Sequence, residues 1–135
     1  MSTKKKKTKS YAYLKKALDR VVSEYVRRRG ADTNGVAACA TCGSRASWKA
    51  LQCGHFVSRA YLATRWHLDN LAIQCVQCNI FKKGNYPAFA AWGVDRYGMD
   101  WPARMVSLSR QSVKLSRTDL MQMIEDYSGK VKALG

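Results

Sequence analysis

Cys39-Ala-Thr-Cys42-Gly43 and Cys75-Val-Gln-Cys78-Asn79, with the segment they enclose, Leu51-Gln-Cys-Gly-His-Phe56, decide how this chain folds. Each cysteine pair has knuckle spacing, in which two sulfurs flanking a short turn converge on one ion. Together the pairs offer four soft ligands, the set that zinc favours in a tetrahedron. Gly43 follows the first pair, where the turn needs an unhindered backbone. The distance from Cys42 to Cys75 leaves room for a hairpin between the knuckles. Cys39, Cys42, Cys75 and Cys78 are therefore read as ligands of a structural zinc. Such a site is closed and does no catalysis itself. Cys53 is left over and reads as a small buried hydrophobe.

The enclosed segment carries the chemistry. Ala46 to Val57 reads as a strand or two short ones. That reading puts Lys49, Leu51, Cys53 and His55 on one face and Trp48, Ala50 and Gln52 on the other. Asn70 to Gln74 reads as a second strand. A helix should begin near Cys78-Asn79 and carry Phe81, Lys82 and Lys83, until Gly84-Asn85 interrupts it. A strand ending in histidine, a strand opening with asparagine and a helix opening with asparagine make a ββα-metal site, here His55, Asn70 and Asn79. Phosphodiester cleavage needs a base, and imidazole titrates near neutrality. It also needs a divalent cation at the phosphate. Mg2+ or Mn2+ can be held by an asparagine carbonyl together with waters and phosphate oxygens. Asn70 would fix the orientation of the imidazole. Taken alone, His55 also fits an ordinary buried histidine, and Asn79 a helix cap.

At these residues the chain resembles the HNH nuclease superfamily in its His-Asn-Asn form. It resembles more closely the NinG (Rap) recombination proteins of lambdoid phages. The likeness rests on Ser23-Glu-Tyr-Val-Arg27, the first knuckle, Leu51 to Phe56, Asp69-Asn70, Gln74 to Asn79, Gly84-Asn85 and Tyr97-Gly98, and spans roughly residues 10 to 100. It implies a structure-specific endonuclease acting on branched DNA such as Holliday junctions and D-loops. By that likeness His55 is the general base, Asn79 the ligand of a catalytic Mg2+ or Mn2+, and the paired cysteines the zinc ligands. It further implies in-line attack by water, leaving 5′-phosphate and 3′-hydroxyl ends. Many HNH nucleases place an aspartate directly before the histidine as a second metal ligand, and here that residue is Gly54. His67 or Asp69 could contribute if the loop folds back. Two rival readings are a zinc-dependent DNA-binding recombination protein without catalysis and an HNH nuclease without branch specificity.

Charge supports a polyanionic partner. Among 135 residues, 24 Lys+Arg stand against 9 Asp+Glu, a formal net charge of +15, and the expected partner is DNA. Arg59, Arg65, Lys82 and Lys83 flank the site as phosphate contacts. Trp48, Trp66 and Trp92 read as core; Trp66, in a basic loop, is the one placed to insert at a DNA branch. No apolar run is long enough to span a bilayer and no signal-type segment is present, so a soluble, cytoplasmic protein is expected; if phage-encoded, as the likeness implies, its place is the host bacterial cytoplasm.

The remaining chain reads as helical extensions of an α+β fold. Residues 1–9 form a basic tail, expected to be disordered. Residues 10–135 form one domain: an N-terminal helix (10–30), a zinc-stapled ββα-metal core (36–92) and a helical C-terminal extension (93–135). Tyr11, Leu14, Leu18, Val21 and Tyr25 recur at helical spacing, and Gly30 stops the helix. Pro87 opens a helix that closes at Tyr97-Gly98. Trp101-Pro102 begins a connector. Ser116-Arg-Thr-Asp119 forms a capping box for a last helix striped by Leu120, Met123, Ile124 and Tyr127. The stripes of the first and last helices could join two copies as a homodimer or pack on their own core.

Overall fold

A computed structural model describes residues 8–135; Lys4, Lys5, Lys6 and Lys7, the centre of the expected basic tail, lie outside the described residues. Helix α1 spans Tyr11–Arg29. The Ser10 side chain accepts the Tyr13 N–H at 3.1 Å, which satisfies one of the open donors of the first turn. Leu14, Leu18, Val22 and Val26, four residues apart, form its buried face.

The last helix completes that face. Helix α5 (Arg117–Ala133) starts at a reciprocal box, with Asp119 N–H donating to Ser116 Oγ at 3.0 Å and Ser116 N–H to Asp119 Oδ2 at 2.8 Å. Its Leu120 is fully buried against the α1 stripe, and Met123, Ile124 and Tyr127 pack around it. The Tyr25 and Tyr127 rings meet edge to face at 5.8 Å. Of the two destinations expected for these stripes, the fold takes the intramolecular one. Each buried leucine contributes about 1.5–3 kcal/mol, so this pairing joins the two ends of the chain firmly.

Between these helices lie two separate hairpins. Strands β1 (Val36–Ala38) and β2 (Arg45–Ser47) pair antiparallel with Ala37 opposite Ala46. The first knuckle is the turn between them. Strand β1, unexpected from the sequence, is too short to show alternation. Gly43 has φ +79°, a left-handed value that an L side chain adopts at a cost, so the glycine is required there. Strands β3 (Gln52–His55) and β4 (Leu71–Gln74) form the second hairpin, with Gly54 opposite Ala72 and His55 opposite Leu71. The Ala40 N–H donates to the Ile73 carbonyl at 2.8 Å and ties the first knuckle to β4.

Several expectations are corrected. A 3-10 turn, Trp48–Ala50, separates β2 from β3, so the stretch forms the two short strands that are one of its expected readings, and the turn removes Lys49 and Leu51 from any strand face shared with Cys53 and His55. The segment from Ser58 to Asp69 is not plain loop: it carries the short helix α2 (Leu62–Arg65) and the start of a 3-10 turn, Leu68–Asn70. After β4 the chain makes a single π-helical turn, Gln77–Phe81, where an ordinary helix start was expected. Helix α3 (Tyr86–Tyr97) opens with Pro87 and ends at Gly98 as expected.

Trp101-Pro102 begins a helix, α4 (Trp101–Ser109), rather than a connector. The reason is twofold. Proline at the first turn of a helix gives up an N–H that has no intrahelical acceptor there. Trp101 also anchors a second core, fully buried with Phe89, Met105 and Ala72. Its Nε1–H donates to the Asp69 carbonyl at 3.1 Å, so a buried polar group is satisfied. The β3–β4 hairpin is thus held between two cores, one built on α1 and the other on α3 and α4. No helix among the described residues is long and apolar enough to cross a membrane.

Candidate functional site

The cysteine cluster is assembled by the two hairpins. Cys39 leaves β1, and Cys75 and Cys78 follow β4. The sulfurs of Cys39, Cys42, Cys75 and Cys78 all lie within 4.8 Å of one another. Four sulfurs at about 2.3 Å from a tetrahedral ion stand about 3.8 Å apart, and Cys42 Sγ and Cys75 Sγ are 3.7 Å apart. The cluster therefore has the size and ligand chemistry to hold a structural metal such as zinc.

Its surroundings suit thiolates. Thr41 Oγ1 lies 3.3 Å from Cys39 Sγ and Ser44 Oγ 3.1 Å from Cys42 Sγ, each placed to donate to a sulfur anion. The Cys78 N–H donates to Cys75 Sγ at 3.4 Å and Asn85 Nδ2 to Cys78 Sγ at 3.6 Å. Every sulfur thus has a donor. Burial works against the Cys39 thiolate, but hydrogen bonds from Thr41 and from the neighbouring backbone outweigh it and bring the thiol down to about 6. Cys53 lies outside the cluster, and burial pushes its thiol up to about 12. It stays a protonated thiol among the groups packed on α1, as expected of a hydrophobe.

A cavity of about 370 Å³ lies between α1, β3 and the α2 segment, and its walls include His55, Asn79, Arg59 and Arg65. His55 ends β3 and is half-buried. Its Nε2 is 2.9 Å from the Arg65 carbonyl oxygen. A carbonyl can only accept, so Nε2 carries the proton and Nδ1 is the nitrogen left as a base. Burial is the main force that holds the imidazole below its ordinary 6.5, aided by Arg59 and Arg65 and opposed by the Arg65 carbonyl bond and by Asp19. The ring is neutral at neutral pH.

Asn79 stands on the π-helical turn, directly after the last cysteine. Its Nδ2 donates to Gln52 Oε1 at 2.8 Å. That bond sets the orientation of the amide and leaves Oδ1, the cation-binding end, without a claim from Gln52. Gln52 is a residue whose role sequence analysis missed, although it lies in the motif quoted for the family likeness. Only the β3–β4 register, with Gln52 opposite Gln74 and next to the second knuckle, brings it to Asn79.

Asn70 is placed otherwise than expected. It is fully buried and its amide does not hold the imidazole. Oδ1 accepts the Val57 N–H at 2.8 Å, and Nδ2 donates to the carbonyls of Val57 at 3.0 Å and Thr64 at 3.1 Å. It pins both ends of the segment from Val57 to Thr64, and the next carbonyl, that of Arg65, receives His55. Asn70 orients the imidazole at one remove.

The basic residues divide. Arg65 is largely committed inside the protein: its Nε and Nη2 donate to the two oxygens of Asp19 at 3.0 and 2.6 Å, and Nη1 donates to the Arg59 carbonyl at 3.1 Å. Asp19 also accepts the Trp66 indole N–H at 2.9 Å. Trp66 is buried in the α1 core, which removes it as a side chain that inserts at a branch. Arg59, Lys82 and Lys83 are exposed. His67 is also exposed; its Nδ1 accepts the Asp69 N–H at 3.2 Å in a local turn, and neither residue lines the cavity. Asp19 itself went unnoticed in the sequence, where its one signal is an acid on the basic face of the first helix. Arg27 lines the same cavity and donates to the Trp48 carbonyl at 3.2 Å, bracing α1 against the 3-10 turn that precedes β3.

Gly54 has a structural reason. It faces the buried Gln74 side chain, and a Cβ at position 54 would overlap the Gln74 amide. Gln74 in turn donates through Nε2 to the Gly84 carbonyl at 2.8 Å and to Thr41 Oγ1 at 3.2 Å, linking the hairpin to the first knuckle and to the chain just after the π-helical turn.

Fold and cluster together define a small mixed α+β protein with a four-cysteine cluster that could hold a structural metal. The chain belongs to the NinG family: the family model described as bacteriophage lambda NinG protein matches residues 1–135. No curated protein and no solved structure matches it.

Proposed function

We propose that this protein is a metal-dependent DNA endonuclease of the HNH type that cuts branched recombination intermediates such as Holliday junctions and D-loops. The observation that carries the reading is the shared cavity, where His55 keeps Nδ1 as a base and Asn79 is turned so that Oδ1 is available. His55 takes the proton of the attacking water, a contribution of about 10²–10⁴-fold in rate. Arg59, with Lys82 and Lys83 on the following turn, holds the DNA backbone. A divalent cation, Mg2+ or Mn2+, shared between Asn79 Oδ1, waters and the phosphate would neutralise charge on the leaving oxygen. In this reading the cysteine cluster takes zinc, which holds Asn79 in place and stays out of the reaction.

A specific observation favours a second reading, a zinc-bound DNA-binding protein without catalysis. Among the described residues the one carboxylate lining the cavity, Asp19, is engaged by Arg65 and Trp66, and position 54 has no side chain. The lining therefore offers a cation one neutral amide oxygen, and the metal must arrive largely with the phosphate. A junction carries two strands to cut, so two copies of the chain would serve it; with the α1 and α5 stripes packed internally, such a pair would meet through another face.

Incubation with a four-way junction and a matched linear duplex, in Mg2+ or in EDTA, separates these readings. Metal-dependent cutting of the junction in preference to the duplex is expected. Binding with no cutting in any divalent metal would leave the non-catalytic reading. Equal cutting of both DNAs would remove only the branch specificity.

A further inference from the structure

The π-helical turn presents two apolar side chains where a folded protein normally hides them. Phe81 is 71% exposed and Ile80 55% exposed, and neither belongs to either core. They directly follow Asn79, and two lysines, Lys82 and Lys83, directly follow them. From Asn79 to Phe81 the chain can reach no more than about 7.6 Å between Cα atoms, roughly two nucleotide steps of a DNA strand.

The turn is held rigidly. The Lys82 N–H donates to the Gln77 carbonyl and the Gly84 N–H to the Cys78 carbonyl, both at 2.9 Å. Lys83 sits at φ +50°, a left-handed conformation that a lysine rarely adopts. The Lys83 N–H donates to the Ile80 carbonyl at 3.1 Å. Asn85, at the end of the turn, bonds to Cys78 Sγ. A phenyl ring on so stiff a support, flanked by cations, fits an apolar wedge against nucleic acid rather than a loose loop. A continuous duplex has no gap for such a ring, whereas a branch exposes base faces on which an aromatic side chain can stack.

We infer that Phe81, backed by Ile80, is the wedge by which this protein recognises a DNA branch, stacking on a base unpaired or unstacked at the crossover while Lys82 and Lys83 hold the adjoining phosphates. The inference rests on the reading of the protein as one that acts on branched DNA. It moves the inserting role from the buried Trp66 to an exposed side chain two residues from the metal ligand.

The test is a binding titration in EDTA. A four-way junction with 2-aminopurine at the crossover is compared with a linear duplex carrying the same base, using wild type, Phe81→Ala and Phe81→Leu. Wild type should raise the fluorescence of the junction and leave the duplex unchanged. Phe81→Ala should abolish the rise and weaken junction binding about 10-fold, with duplex affinity and melting temperature unchanged, and Phe81→Leu should keep part of the effect. Unaltered fluorescence and junction affinity in Phe81→Ala would overturn the inference. A lowered melting temperature would overturn it by marking Phe81 as structural. So would an equal loss on both DNAs with a change in light-scattering mass, which would mark a contact between two copies. Because no step needs cleavage, absence of cutting in Mg2+ would count against the nuclease reading and leave the wedge standing.

Discussion

The Nε2 of His55 lies 2.9 Å from the carbonyl oxygen of Arg65, a residue ten positions further along the chain. The bond gives the imidazole one tautomer and one orientation, with Nδ1 as its basic nitrogen. On the proposed mechanism, His55→Ala should lower cleavage about 10²–10⁴-fold and leave junction binding within a factor of about two, because that mechanism assigns general-base catalysis and phosphate contact to different residues. Single-turnover cleavage and gel-shift titration on the same DNA check both halves.

The same residue sets a pH dependence. Burial depresses the His55 pKa below 6.5 in the folded protein. The base is then already deprotonated at neutral pH, so the cleavage rate should be flat across neutrality and fall only as pH drops through the depressed value. Stability follows the same sign: below 6.5 the unfolded chain binds a proton that the folded chain does not, so this contribution is lost as pH falls. A pH–rate profile with its acid limb at or above 6.5 would contradict this assignment.

Metal removal should unfold the middle of the protein. Zinc binding in small modules contributes of order 10 kcal/mol to folding, and here the two knuckles join both hairpins. Cys42→Ser or prolonged chelation should abolish the cooperative melting transition, and metal analysis of the purified protein should find zinc. Cys53→Ala should retain the metal, since that thiol lies outside the cluster and is pushed up to about 12.

Gln52 should act through Asn79. Loss of the 2.8 Å bond from Asn79 Nδ2 frees the amide to rotate, so Gln52→Ala should raise the Mg2+ concentration needed for half-maximal cleavage by about 10-fold. The maximal rate at saturating Mg2+ should be largely recovered. Asn79→Ala should not recover at any Mg2+ concentration. Metal titrations of the two variants distinguish a positioning residue from a ligand.

Asp19 should matter to folding more than its place on a basic helix suggests. It satisfies the Arg65 guanidinium and the Trp66 indole in a part-buried setting. Asp19→Ala leaves that guanidinium without its counterion, a loss of about 2–3 kcal/mol, measurable by urea denaturation. Gly54→Asp should likewise destabilise the fold, because the new side chain overlaps Gln74, and should not raise activity.

Much of the fold was legible because its signals are local. Gly30, Pro87 and the Ser116–Asp119 box act on neighbouring residues, so their helices follow from adjacent sequence. Trp101-Pro102 misled because a proline at a helix start and a proline in a connector look alike until the tryptophan is known to be buried. Trp66 misled for the same reason: an aromatic in a basic segment declares neither core nor surface. Strand β1 has three residues, too few for alternation to register.

The cysteine knuckles, the capped helices, the family and the candidate pair His55 and Asn79 can be read from residue order alone, since spacing and residue chemistry need no partner. Which groups orient that pair emerges only once the chain has packed. Arg65 supplies a backbone carbonyl, Gln52 an amide oxygen and Asn70 a clamp on the intervening segment. Such roles arise from strand register and from the need to satisfy polar groups once water is excluded. Those conditions exist only when distant segments have packed together.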